Sequence, residues 1–288
     1  MNYHLATSFE EAARIAANAG GTTRFLAGGT DVLVQMRAGM VLPDDLIDLK
    51  AIPGTDAMTQ LADGSWQIGV AVPGARLGAN ADLCRDWPGV VEGMELVGST
   101  QVQGRATLTG NLCNGSPAAD SVPGLVAAGA TVVITGPEGS RELPVEEVPT
   151  GPGKTALNKG ELISEIRLPA RGDNAGDAYL RFTPRTEMDI AVVGCAVSLR
   201  LDGDKIVEAR VSLGAVAPTV LLVAEAADAI IGTTLDDAAL DALAAAASKA
   251  AKPISDKRGS AEYRIEIAGV LAKRAAKIAY GRAKGDNK

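Results

Sequence analysis

The sequence has a single histidine, His4, and three cysteines, Cys84, Cys113 and Cys195, in 288 residues. No C-x-x-C pair occurs, and three thiols fall short of the four thiolates of a typical iron–sulfur site. One histidine near the N-terminus excludes a Ser–His or Cys–His hydrolase arrangement and argues against zinc. Its plain place is a strand edge. Aromatic residues make up only 3% of the chain. No uninterrupted apolar run is long enough to span a bilayer, and no basic stretch followed by a hydrophobic one opens the chain. A cytoplasmic protein without a membrane span is therefore expected. A net charge of −7 and the lack of a basic stripe give nucleic acid no footing.

What is present is glycine, alanine and two unusual loops. In Arg24-Phe25-Leu26-Ala27-Gly28-Gly29-Thr30-Asp31-Val32 an apolar run ends in two glycines, and a helical pattern follows. That reads as strand, tight turn and helix start. Glycine lets backbone approach a ligand closely, and the free N–H groups of such a turn suit a phosphate or pyrophosphate. The turn matches neither G-x-G-x-x-G nor the Walker loop, so a turn that only reverses the chain stays open beside the anion site. The second segment is Ala106-Thr107-Leu108-Thr109-Gly110-Asn111-Leu112-Cys113-Asn114-Gly115-Ser116-Pro117-Ala118-Ala119-Asp120. Small, hydroxylated and turn-forming residues predict a loop here, neither core strand nor regular helix. Cys113 reads best as a small packing residue. Asp120 precedes the apolar residues 122–128, so its plain role is a helix N-cap.

Three parts follow from the pattern. The first opens with a capping signal at Thr7-Ser8 before a helix that Gly20-Gly21 stops. Strand, helix and the strand around Leu46-Ile47-Asp48-Leu49 make a small β-α-β unit, with a break at Pro53-Gly54. The second runs from a strand at Trp66 through a helical stretch, 83–98, broken at Pro88. The second loop, an apolar helix, a buried strand at 130–134 and a closing strand at 161–168 complete it. Residues 171–177 are the linker candidate. The third part is a strand cluster with a hairpin turn at Asp202-Gly203-Asp204, then two alanine-rich helices and a long helix from Ser260.

The two loops together resemble the FAD-binding subunit of the molybdenum hydroxylases, the family of the carbon monoxide dehydrogenase medium subunit and the xanthine dehydrogenase flavin domain. Further matching pieces are Asp45-Leu46-Ile47-Asp48-Leu49, Gly160-Glu161-Leu162-Ile163-Ser164-Glu165-Ile166-Arg167-Leu168-Pro169, Asp189-Ile190-Ala191-Val192-Val193, Pro253-Ile254-Ser255-Asp256 and Gly259-Ser260-Ala261-Glu262-Tyr263-Arg264. Their order covers nearly the whole chain. The chain departs from the family at Thr109, where a paired glycine is usual, and at Gln103, where Val-Arg often stands instead of Val102-Gln103.

The resemblance implies an α+β fold. Residues 1–171 would form a two-subdomain FAD-binding fold of the vanillyl-alcohol oxidase type (about 1–53 and 54–171). Residues 172–288 would form a C-terminal antiparallel sheet-and-helix domain. It implies cofactor contacts position by position. The first loop, Leu26, Ala27, Gly28, Gly29, Thr30, Asp31 and Val32, would hold the pyrophosphate. Val102, Ala106, Thr107, Gly110, Asn111, Cys113 and Asn114 would line the diphosphate, ribityl chain or flavin edge. Asp120 would accept from FAD hydroxyls, Ile163 would line the pocket, and Arg181 would stand where the family has a lysine near the flavin. Ile190 would pack near the ring. FAD is the cofactor implied for this chain; molybdopterin and 2Fe-2S clusters are implied in a large and a small partner subunit. The assembly would be a dimer of heterotrimers that passes electrons to an external acceptor. A stand-alone FAD-dependent oxidoreductase, or a non-catalytic FAD-binding scaffold, would keep the same loops.

Overall fold

The structure, a computed structural model, describes residues 1–186 and 188–286. The last two residues of the expected C-terminal part lie outside them. The chain opens with β1 (Asn2–Leu5), α1 (Phe9–Asn18), β2 (Thr23–Leu26), α2 (Val32–Arg37) and β3 (Asp45–Asp48). Ser8 caps α1 by accepting from the Glu11 N–H, as the capping signal predicts. The three strands are parallel in the order β1-β3-β2, so β1 is an edge strand, the place expected for His4. His4 sits in it, 2.8 Å from Asp45. The alanine face of α1 (Ala12, Ala13, Ala16) packs with Ile47 and Leu49.

The middle of the chain holds β4 (Met58–Gln60), β5 (Trp66–Gly69), α3 (Gly74–Gly78), α4 (Ala81–Asp86), α5 (Pro88–Glu95), α6 (Thr100–Gln103), α7 (Leu108–Cys113) and α8 (Ser121–Ala127). It ends with β6 (Thr131–Gly136), β7 (Gly139–Pro144), β8 (Pro149–Gly151), β9 (Lys154–Thr155) and β10 (Leu162–Leu168). A five-stranded antiparallel sheet runs β4-β5-β10-β6-β7. Pro88 splits the predicted helical stretch by starting α5 at its first turn, where its missing N–H costs nothing. One expectation is corrected here. The second loop is not wholly irregular, because it contains α7. Thr107 caps that helix through the Gly110 N–H, and Leu108 and Leu112, four apart, both point into the core.

The C-terminal part comprises β11 (Ala175–Phe182), β12 (Val193–Asp202), β13 (Lys205–Gly214), β14 (Leu221–Leu222), α9 (Ala224–Asp228), α10 (Asp237–Ala250) and α11 (Ala261–Ala283). Its sheet is antiparallel in strand order, with the predicted turn at Gly203-Asp204 between Asp202 and Lys205. Alternate residues face opposite ways. The Ala178, Val197 and Val211 row joins the core beneath α10 and α11, while Tyr179 and Ala196 pack on Ala127 of α8. The linker reading of 171–177 needs shortening. Asp177 lies within β11 and is buried, 2.8 Å from Arg171, whose guanidinium stacks 4.6 Å from the Trp87 ring centre. The molecule is thus mixed α and β, a parallel-plus-antiparallel two-sheet unit backed by a sheet-and-helix unit. Among the described residues no helix is long and apolar enough to cross a membrane.

Candidate functional site

The two loops come together. A cavity of about 830 Å³ lies between the turn after β2, the 106–114 segment, the β8–β9 turn and the start of β10. That is within the usual range for a cofactor site. Gly28 is the contact between the loops. A Cβ there would lie 2.0 Å from the main-chain oxygen of Arg105, so only glycine fits. Gly29 has φ +81°, the left-handed region glycine tolerates. The main-chain N–H groups of residues 27–32 donate to no protein acceptor among the described residues. They form a strip of free donors along one wall.

Side chains on the second loop are held from behind. Asn111 Oδ1 accepts from Ser121 Oγ at 2.7 Å, which orients its amide. Gln35 of α2 donates to Asn114 Oδ1 at 3.3 Å and also to the Asp31 carboxylate, tying the two loops together. Burial pushes the Cys113 thiol up to about 12, so it stays protonated and serves as packing. Thr109, the departure from paired glycine, is 4% exposed and lines the cavity. Gln103 does not line it; its amide donates to the Glu95 and Val97 carbonyls at the end of α5.

Ala27, Gly28, Gly29, Thr30, Asp31, Val32, Val102, Ala106, Thr107, Gly110, Asn111, Cys113, Asn114 and Ile163 all line this one cavity. Leu26, Asp120 and Arg181 do not. Leu26 is buried under the turn, a consequence of strand alternation. Asp120 and Arg181 pair with each other at 2.6 Å, and Tyr179 Oη donates to the other Asp120 oxygen at 2.8 Å. Burial raises the Asp120 carboxyl above its ordinary range, against the pull of Arg181. Asp120 does stand at the start of α8, yet its side chain makes no cap hydrogen bond. Ile190 is half exposed and outside the lining, whereas Met188, two residues earlier, is part of it.

Several lining residues were not read from the sequence. Arg24 and Lys159 bring positive charge to the cavity, with Lys159 anchored on the Ala19 carbonyl at 2.7 Å. Thr155, Leu157 and Gly153 come from the β8–β9 turn, whose Gly151-Pro152-Gly153 signature could have marked it. Gly153 N–H donates to the Gly115 carbonyl at 3.0 Å, so this turn closes onto the second loop. Glu161 accepts from both Arg141 and the Asn158 N–H, and the Arg141 guanidinium holds its carboxyl down at about 2. Among the described residues no group of three or more His, Cys, Asp or Glu is placed to hold a metal.

This geometry meets its match in known proteins. A family model described as the FAD binding domain in molybdopterin dehydrogenase matches residues 1–171, and the CO dehydrogenase flavoprotein C-terminal domain matches residues 178–279. The chain belongs to the FAD-binding medium-subunit family of the molybdenum hydroxylases. It is 34% identical to the carbon monoxide dehydrogenase medium chain of Afipia carboxidovorans over 99% of this chain and 98% of that one. It is 29% identical to the xanthine dehydrogenase FAD-binding subunit of Escherichia coli O157:H7, covering 95% and 94%. The structure of carbon monoxide dehydrogenase from Hydrogenophaga pseudoflava superposes with a TM-score of 0.93 at 32% identity, covering 98% of both chains. The medium subunit has a cavity that fits FAD on its own evidence. The Gly28 cradle has no room for a side chain, a strip of N–H donors lines one wall, and Thr23 Oγ1 at the cavity is buried without a partner.

Proposed function

We propose that this chain is the electron-transfer subunit of a multi-subunit molybdenum hydroxylase. It takes electrons from 2Fe-2S clusters of a small partner subunit and passes them to an external acceptor. The substrate is hydroxylated in a molybdopterin-binding large subunit, and the assembly is a cytoplasmic dimer of heterotrimers. Residues 1–171 are the FAD-binding part and 172–288 the C-terminal part. The observation that carries the reading is the donor-lined cavity at Gly28 and Gly29, in a chain similar along its whole length to medium subunits. FAD bound there supplies a step between one-electron donors and a two-electron acceptor.

The chain's own residues hold and shape that site. The free N–H groups of residues 27–32 would donate to a pyrophosphate, and Arg24 and Lys159 would add positive field. Thr107, Asn111 and Asn114 are fixed by Gly110, Ser121 and Gln35, so their polar atoms are preorganised. Val102 and Ile163 give apolar wall. The Asp120–Arg181 pair acts behind the cavity, setting how α8 meets β11.

Native purification of the full chain tests the reading. Copurifying iron and molybdenum, with all flavin released as FAD by acid, are the expected results. A chain that purifies without an iron–sulfur partner and oxidises a heterocycle or aldehyde by itself would overturn it. The cavity has its own test. Gly28→Ala forces a Cβ against a main-chain oxygen, a misfit of about 1–3 kcal/mol, which corresponds to a loss of about fivefold to a hundredfold in FAD affinity. Gly20→Ala, with nothing within 4 Å, should bind as the wild type does. Equal affinities for the two variants would remove the cradle from the site.

A further inference from the structure

One stretch of the cavity wall is built from weak pieces. Val97 and Gly98 come from the turn after α5, Val102 comes from α6, and all three line the cavity. Helix α6 has four residues, no side chain caps its N-terminus, and it contains no fully buried residue. A helix of one turn does not hold its shape unaided. The turn leans on that helix. Gly98 has φ +63°, and a Cβ there would lie 2.8 Å from a Val102 methyl carbon. Val102 thus sits on the Gly98 main chain, and a shift of α6 disturbs both.

The turn also leaves acceptors to satisfy. Glu95, Leu96 and Val97 end α5 and begin the turn, and among the described residues their carbonyls accept from no main-chain N–H. Side chains take all three. The Gln103 carboxamide donates to the Glu95 carbonyl and, at 3.3 Å, to the Val97 carbonyl. Arg181 of β11 donates to the Leu96 carbonyl between them, at 2.9 Å. Gln103 is therefore the side chain that ties α6 back to the end of α5.

The tie reaches further along the cavity through the main chain. The Arg105 and Ala106 N–H groups both donate to the Val102 carbonyl, at 3.0 and 2.8 Å. The Arg105 main chain is the surface that Gly28 fits against, and Ala106 lines the cavity. The Ala106 carbonyl in turn accepts from the Gly74 N–H at 2.8 Å. Where α6 sits thus sets both the apolar wall at Val97 and Val102 and the backbone that meets the glycine turn.

We propose that Gln103, although outside the cavity lining, is a positioning residue for FAD. Its carboxamide holds α6 against the end of α5. That contact keeps Val97, Gly98, Val102 and the Arg105–Ala106 main chain where the cofactor meets them. The proposal rests on the FAD reading of the cavity and adds a residue that acts on it from behind. What counts is donation, because two carbonyl oxygens have this amide as their donor. An arginine, which often follows the valine in the family, also brings N–H donors to this position, whereas a methionine matches the length of glutamine and donates nothing.

The test uses the full chain in its native complex, with Gln103→Met, Gln103→Glu and Gln103→Arg. Gln101→Met, at an exposed residue of the same helix, is the control. The rate of FAD release, the visible circular dichroism of the bound flavin and melting are read on each. Loss of the two hydrogen bonds should speed FAD release about tenfold in Gln103→Met and Gln103→Glu and alter the flavin dichroism. Gln103→Arg and the control should release FAD as the wild type does. Gln103→Ala stands in, by the same readings, if the methionine variant does not assemble. Wild-type release and dichroism in Gln103→Met overturn the proposal even if melting falls, because Gln103 would then only finish α5. Loss confined to Gln103→Glu overturns it too, since the added charge and not the missing donor would be the cause. So does a Gln103→Arg chain that releases FAD as fast as Gln103→Met. These results leave FAD in the cavity. A wild-type complex that carries no FAD defeats the cavity reading itself, and the role of Gln103 falls with it.

Discussion

Asp120 shows how far a single residue can be read. Its position before an apolar helix fits an N-cap, and the family resemblance puts a cofactor acceptor there. In the structure its oxygens go instead to Tyr179 and Arg181, 59 and 61 residues further on, and it is 7% exposed. No local pattern announces partners at that separation. Asp120→Ala would leave the Arg181 guanidinium buried without its counter-charge, which costs about 3–5 kcal/mol of stability. Removing only the tyrosine hydroxyl, Tyr179→Phe, should cost nearer 1 kcal/mol. Denaturant unfolding of the apo-protein measures both. FAD titration of the folded variants gives the other half of the answer: little change is expected, because the carboxylate does not line the cavity. Undisturbed folding with strongly weakened FAD binding would return Asp120 to the cofactor.

Elements were legible where their signals are local. Ser8, Asp236 and Ser260 each cap a helix through a side-chain oxygen, and such caps stand out in a sequence. The glycine turn after β2 was legible for the same reason. Helix α7 was not, because only two large apolar residues mark it among small polar ones. The β8–β9 hairpin was not, because it has two or three residues to a strand. That hairpin is held by a salt bridge whose partners lie in β7 and just before β10. Arg141 donates to Glu161 and to the Ala156 carbonyl, and Glu161 accepts from the Asn158 N–H. Glu161 lies well below its ordinary 4.5, at about 2, chiefly through Arg141. A folded-state value below the unfolded one means the carboxylate stabilises above about 4.5 and loses that contribution as pH falls toward 2. Since Arg141 is 38% exposed, screening leaves about 1–2 kcal/mol. Glu161→Gln should therefore melt lower than wild type at neutral pH, and the gap should close through that acid window. A gap that stays constant into acid would mean the side chain acts by shape and not by charge.

At the scale of the molecule, the order of motifs along the chain was enough for the family, while the packing between its two halves was not. That packing rests on contacts between distant residues. The Gly89 N–H and the Tyr179 N–H donate to Asp177 and Glu92, at 2.9 and 2.8 Å. Arg210 reaches the Val126 carbonyl at 2.9 Å, and Arg282 reaches both Glu92 and the Asp177 carbonyl. Buried carboxylates that cross a boundary couple the two sides, because neither side can open without stranding a charge. The chain should then unfold as one unit despite its separate cores. The sequence supplies two independent probes. Both tryptophans, Trp66 and Trp87, lie in the first half, and the 23-residue α11 lies in the second. In the apo-protein, tryptophan fluorescence and far-ultraviolet circular dichroism should report coincident transitions. Asp177→Ala removes the partner of both Arg171 and the Gly89 N–H, and it should lower the two transitions in step by several degrees. If the dichroism transition moved while the fluorescence one stayed, the halves would be independent, and the buried carboxylates at their boundary would be packing alone.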